Sequence, residues 1–171
     1  MQKLKRIHSG FTLIELLVVI AVMAIIATAA LVAINPIDKI RSGQDAKVQA
    51  DLSQVTSAIS AYETANNGTL PAWNNWAAIT GGLVTAGELT AAPQDPDGAG
   101  ALYTYNGSTA VGPPATAVIY SILLSHKYTG TAAPSKCINQ TAYWFWNNSN
   151  GQACGECNVV PTAATACVWY P

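Results

Sequence analysis

Hydrophobic and polar positions divide the chain into three stretches of different period. From Leu16 to Ile34, nineteen successive residues carry no charge and only Thr28 is polar. A helix of that length spans the apolar part of a bilayer. Asn35-Pro36 ends the run. Proline removes a helical hydrogen bond and its ring crowds the preceding turn, so a kink or break is expected there. After Pro36 the pattern turns amphipathic. Val48, Leu52, Val55, Ile59 and Tyr62 recur at spacings of 4, 3, 4 and 3, which places them on one helical stripe. Asp45, Lys47, Gln49, Asp51 and Gln54 are expected on other faces. The helix should stop near Asn66-Asn67-Gly68, since glycine is the usual residue just past a helix end. If unbroken, residues 11 to 66 would make a helix roughly 84 Å long at 1.5 Å per residue. No small domain covers that length, so its first half must be covered by lipid or by other copies of the chain.

The third stretch reads mostly as loops and strands. Trp73 to Thr90 is read as a short helix around Trp76 to Leu83 and a loop. Pro93-Gln94-Asp95-Pro96-Asp97-Gly98 is a turn cluster. "ALYTYN", Ala101 to Asn106, alternates and ends at Asn106-Gly107, a hairpin signal. "AVIYSILLS", Ala117 to Ser125, is the strongest strand. "TAYWFW", Thr141 to Trp146, is the next, closed by Asn147-Asn148-Ser149-Asn150-Gly151. Three or four antiparallel strands packed on the helical stripe give an α+β fold with a long protruding N-terminal helix.

Composition narrows the class. Charged residues are 10% and hydrophobic residues 50%, an unusual balance for a cytosolic enzyme. The net charge of −1 conceals an asymmetry, because Lys3, Lys5 and Arg6 face no acid in the first ten residues. Without residues 1–10, five basic and nine acidic side chains remain, a balance of −4. Bulk charge therefore gives no support to nucleic-acid binding.

Glu15 is the residue that a simple membrane reading leaves unexplained. A charged side chain inside an apolar span costs a few kcal/mol and is by default functional. An ordinary secretory signal, with Ala27-Thr28-Ala29 as its A-x-A site, would hold Glu15 inside its apolar core and end short of Ile34. A plain anchor, with its basic flank in the cytoplasm, gives Glu15 no role. The stretch "KRIHSGFTLIELLVVIAV" resembles the class III signal of type IV pilins and of the pseudopilins of type II secretion. Gly10-Phe11-Thr12-Leu13-Ile14-Glu15 fits that pattern at every position. "NPIDKIRSGQDAKVQADLSQVTSAISAYETANNGTLP", through Pro71, resembles the family's helix continuation. Pro93 to Pro96 resembles the "P-x-D-P" stretch that precedes the first strands in many members.

The resemblance implies a role for each residue of the motif. A dedicated prepilin peptidase and N-methyltransferase would cut after Gly10 on the cytoplasmic side and methylate the new terminus, Phe11. Phe11 to Glu15 would be one helical turn, so the amine and the carboxylate would share a face. Glu15 of one subunit would then pair with the Phe11 amine of a neighbour during assembly. On this reading residues 1–10 are a cleaved leader and 11–35 the transmembrane and polymerisation half of the helix. Residues 36–67 are its amphipathic half, broken from the first at Pro36, and 68–171 are the globular sheet domain of a ladle-shaped, pilin-like protein. The implied partners are other copies in a homopolymer, the inner-membrane assembly machinery and, before assembly, the membrane. The precursor would be single-pass in the cytoplasmic membrane with its N-terminus inside, and the product a structural subunit of a surface filament. A pseudopilin of type II secretion or DNA uptake shares the signal and is the alternative within the family.

Cys137, Cys154, Cys157 and Cys167 crowd the last thirty-five residues. A thioredoxin-like use of Cys154-Gly155-Glu156-Cys157 needs a βαβ context that is missing. A four-thiolate zinc site wants a second close pair, and Cys137 and Cys167 are isolated. Two disulfides suit an exported domain and an even count, with all three pairings left open. The rival from another class is an exported, anchored redox or metal-binding domain built on Cys154 and Cys157. Asp95 and Asp97 have the spacing of calcium ligands but read as turn residues, so no metal and no cofactor is assigned. Trp144 and Trp146 share one face of a strand and read as packing. The N-x-S/T matches at Asn67, Asn106, Asn139 and Asn147 or Asn148 are attributed to composition. His8 would leave with the leader and His126 stands alone, so no Ser/His/Asp constellation and no enzyme is expected.

Overall fold

The computed structural model describes residues 10–71, 75–96, 102–107, 116–131, 135–149, 151–162 and 164–169. Lys3, Lys5, Arg6, His8, Trp73, Ala101, Asn150 and the Asp97-Gly98 end of the turn cluster lie outside the described residues. Contacts divide the chain into two compact units, one ending at Ile37 and the other beginning at Asp38.

The first unit is α1, Leu13–Ile34. None of its residues is buried against the rest of the chain. It is long and apolar enough to cross a membrane. Asn35 closes it in the left-handed region, with φ 45° and ψ 70°. Asparagine tolerates that conformation better than other residues with a Cβ. Pro36 then opens α2, Pro36–Ala65, at the one helical position where its missing N–H costs nothing. The break expected at Asn35-Pro36 is thus made by both residues.

The second unit holds most of α2, followed by α3, Trp76–Ala86, and four strands. The strands are β1, Tyr103–Gly107, β2, Ala117–Leu123, β3, Ala142–Asn147, and β4, Ala153–Cys157, with α4, His126–Thr129, between β2 and β3. They form one antiparallel sheet in chain order. The arrangement is α+β, as expected. Val48, Leu52, Val55 and Ile59 of α2 share one core with Ile79 and Leu83 of α3. Tyr105, Ile119, Leu123, Trp144 and Trp146 complete it from one face of the sheet. α2 ends where the sequence places its stop: Asn67 and Gly68 have φ 55° and 79°, and the Gly68 N–H donates to the Glu63 carbonyl at 2.8 Å. Asn75 starts α3, its side chain accepting the Ala78 N–H at 2.8 Å, and Gly87 ends it in the left-handed region.

Four details differ from the sequence reading. Asp45 was expected on an outer face, yet it is 2% exposed. It lies three residues before Val48, so it belongs to the same stripe. Its carboxylate accepts the N–H of Leu124 at 2.8 Å and of Ser125 at 2.9 Å. Asp38, about two turns back, accepts the His126 N–H at 2.6 Å. These three amides are drawn to α2, so β2 stops at Leu123 instead of Ser125 and α4 begins. Asn106 and Gly107 do not turn; they pair with Val118 and Ala117 inside β1. The Tyr105 ring lies across Gly107, where a Cβ would overlap it. The fourth difference is β4 itself, which contains the C-x-x-C segment. Replacing Asp45 with Asn keeps one acceptor but sets an NH₂ group against a buried N–H. Asp45→Asn should cost about 2 kcal/mol, read as a lower denaturant midpoint. An unchanged midpoint would show that the corner at 124–125 holds without the carboxylate.

Two tyrosines of β1 make the core sensitive to alkali. The Tyr103 hydroxyl donates to Asp51 Oδ2 at 2.6 Å, and Lys47 Nζ pairs with the same oxygen at 2.6 Å. Burial, the bond to Asp51 and the charges of Asp51 and Asp95 push the Tyr103 pKa above the usual phenol range. Tyr105 donates to the Pro71 carbonyl at 3.1 Å, and burial pushes its pKa up to about 12. Both phenols hold their protons more tightly folded than unfolded, where they titrate near about 10. Their contribution is complete below that value and is lost as pH rises through about 12 for Tyr105. Unfolding midpoints should therefore fall above pH ~10. Tyr105→Phe should flatten part of that fall, and a slope that Tyr105→Phe leaves unaltered counts against burial as its cause.

Candidate functional site

The amino-terminal site is built by the start of α1. Gly10 and Phe11 are exposed and precede the helix, and Thr12 is its N-cap with φ −80° and ψ 149°. Thr12 and Glu15 form a capping box. The Glu15 backbone N–H donates to the Thr12 hydroxyl oxygen at 3.3 Å. Glu15 Oε2 in turn accepts the Thr12 N–H at 2.9 Å and the Thr12 hydroxyl at 2.6 Å. Two otherwise unsatisfied amide donors at the helix start are thereby used. The bond after Gly10 consequently lies in non-helical, exposed backbone. Phe11 and Glu15 were expected to form one helical turn. Instead the helix begins at Leu13, because the capping box holds Thr12 extended. Phe11, Ile14, Glu15, Val18 and Val19 still line one shallow apolar groove. Thr12 is the residue that sequence reasoning missed. The T-x-x-E spacing before an apolar run was its available signal.

The cysteines are joined as Cys137–Cys157 and Cys154–Cys167. Residues three apart on a strand point to opposite faces, so β4 sends the Cys154 and Cys157 sulfurs away from each other. C-x-x-C is here two separate staples and not a vicinal redox pair. Cys157 is partly buried beside the core that faces α2, while Cys154 and the Phe145 opposite it are fully buried on the other face. The tail that Cys154–Cys167 fastens closes the open edge of β4. The Gly155 N–H donates to the Trp169 carbonyl at 2.8 Å, and the N–H groups of Val168 and Trp169 donate back to the Gly155 carbonyl at 3.1 and 3.2 Å. Trp169 stacks on Tyr128 at 5.1 Å between ring centres and meets Trp144 at 5.4 Å. Asp95 Oδ2 accepts the Leu102 N–H at 2.9 Å, a turn-stabilising bond.

One comparison bears on the amino-terminal site. Residues 5–31 match the family model of the prokaryotic N-terminal methylation motif. The chain carries a class III signal, the type found on type IV pilins and pseudopilins. No curated protein and no solved structure matches the chain. The class III signal takes in Gly10, Phe11, Thr12 and Glu15 and most of α1, and leaves residues 32–171 outside the match. The match supports a type IV pilin-like or pseudopilin precursor.

Proposed function

We propose that the chain is the precursor of a structural subunit of a type IV pilus-like surface filament. A prepilin peptidase cuts it after Gly10 and the new Phe11 amine is methylated. The inner-membrane assembly machinery then transfers the subunit from the cytoplasmic membrane into the polymer. The observation that carries this reading is α1, twenty-two residues with none buried against its own chain, directly behind a methylation motif of which Gly10 and Phe11 are exposed. Lipid covers such a helix before assembly and the α1 helices of other copies cover it afterwards. In that apolar bundle, Glu15 of one subunit pairs with the Phe11 amine of its neighbour, since a buried charge is tolerated when it is paired.

Intact mass and terminal sequencing of the mature protein test the reading. The mature chain should begin at N-methyl-Phe11. Gly10→Val should leave uncut precursor in the membrane, because a branched side chain beside the scissile bond obstructs the peptidase. A mature terminus at Ala30 would establish an ordinary secretory signal and overturn the proposal.

A further inference from the structure

We infer that the cleft around Arg41 is a subunit-to-subunit contact that receives the Glu63 carboxylate of another copy of this chain; the inference rests on the filament reading above. Arg41 stands near the start of α2, on a cleft of about 490 Å³ also lined by Asn139, Gln140, Thr141 and Asn158. Its natural partners on the helix are the acids at i−3 and i+4, Asp38 and Asp45. Both are committed to the backbone of 124–126. Arg41 has no hydrogen bond or ion pair among the described residues. The cleft thus offers a guanidinium beside carboxamide and hydroxyl groups and no acid, a set suited to a carboxylate.

The carboxylates of the second unit narrow the choice of occupant. Asp51 takes Lys47 and Tyr103, Asp95 takes the Leu102 N–H, and Glu156 takes the Cys157 N–H at 3.0 Å. Among the described residues beyond α1, Glu63 and Glu88 are left without such a partner. Glu63 stands on the same helix as Arg41, so the axial distance between them is fixed. Twenty-two residues at 1.5 Å each separate them by roughly 33 Å, too far to meet within one chain. A second copy lying beside the first and shifted along the axis by that distance would bring its Glu63 to the level of Arg41. Such a head-to-tail contact uses two different patches and repeats without closing, as an open filament requires.

Charge reversal in the full-length chain tests this. Arg41→Glu and Glu63→Arg should each lower sheared filament on the order of tenfold, because like charges then meet at the contact. The double variant should restore it. Membrane-held subunit and its melting midpoint should be unchanged in all three, which separates assembly from folding. Filaments of Arg41→Lys treated with a carbodiimide should show an amide link between position 41 and Glu63, which at that spacing must join two copies. A double variant no better than the single ones overturns the inference, as does a link from position 41 to Glu88 or to no carboxylate. Wild-type filaments with unaffected single variants overturn this contact alone. If the wild-type chain forms no filament, the filament reading and this contact fall together.

Discussion

Glu15→Val should leave the subunit inserted, cut at Gly10 and folded outside the membrane, yet nearly absent from sheared filament. Removing a charge from the apolar segment favours insertion. On the proposed filament reading, the loss falls on assembly. The neighbour's Phe11 amine would be left unpaired in an apolar surrounding, which costs about 3–5 kcal/mol. The ratio of filament to membrane-held subunit should then drop by about a hundredfold or more. The capping box adds a second role that has to be separated from the first, because Glu15 also takes the N–H and hydroxyl of its own Thr12. Valine removes both roles. Glutamine retains the capping one, since it serves at the same position of a capping box, and loses only the charge. Glu15→Gln should therefore fail nearly as badly as Glu15→Val. If Glu15→Gln assembles like wild type, the helix start matters and the charge does not. Equal ratios for all three chains, with normal cleavage confirmed, would remove Glu15 from assembly altogether.

Gly155→Val should lower stability by about 4 kcal/mol, comparable to loss of a buried tryptophan side chain. A Cβ at position 155 would overlap the indole of Trp169. The ring cannot step aside cheaply, because Cys167 is tied to Cys154 and three backbone hydrogen bonds, two of Trp169 and one of Val168, hold this stretch against Gly155. It would be expelled from its stack on Tyr128 and Trp144. Denaturant unfolding of the full chain in detergent, without reductant, measures the loss. Trp169→Ala should cost a similar amount, and adding Gly155→Val to it should cost little more, since the two changes remove the same contact. Full additivity would show that the glycine has some other purpose.

Periodic features were legible in the sequence and singular ones were not. The apolar run is recognised by its length and the 4-3-4-3 stripe by repeating a helical spacing several times, so they identify α1 and α2 despite any one odd residue. Asn67-Gly68 and Asn35-Pro36 act through local backbone preference, and they end helices wherever they stand. Asp45 misleads in the sequence because a polar residue suggests exposure, although its spacing from Val48 puts it on the buried stripe. Its partners, Leu124 and Ser125, are about eighty residues away and leave no mark near it. β4 is hidden because Gly155 and Glu156 have little strand preference of their own. The strand exists through β3 on one side, the Trp169 tail on the other and a staple at each end. In the candidate site, Gly10, Phe11 and Glu15 were legible as a motif, while the helix start at Leu13 follows from a Thr12 contact that the motif alone does not specify.

The opposed sulfurs of β4 impose an order of events on maturation. In an unfolded chain the shortest loop these four cysteines can close is Cys154 to Cys157, and closure becomes harder as loops lengthen. The bond most readily formed early is therefore the one the finished sheet forbids. It would hold both sulfurs on one side and spoil the alternation by which β4 pairs with β3. Either β4 docks while its thiols are still reduced, or thiol–disulfide exchange later reverses the premature bond. In an oxidising compartment, the rate of that exchange would set how fast correctly joined chains accumulate.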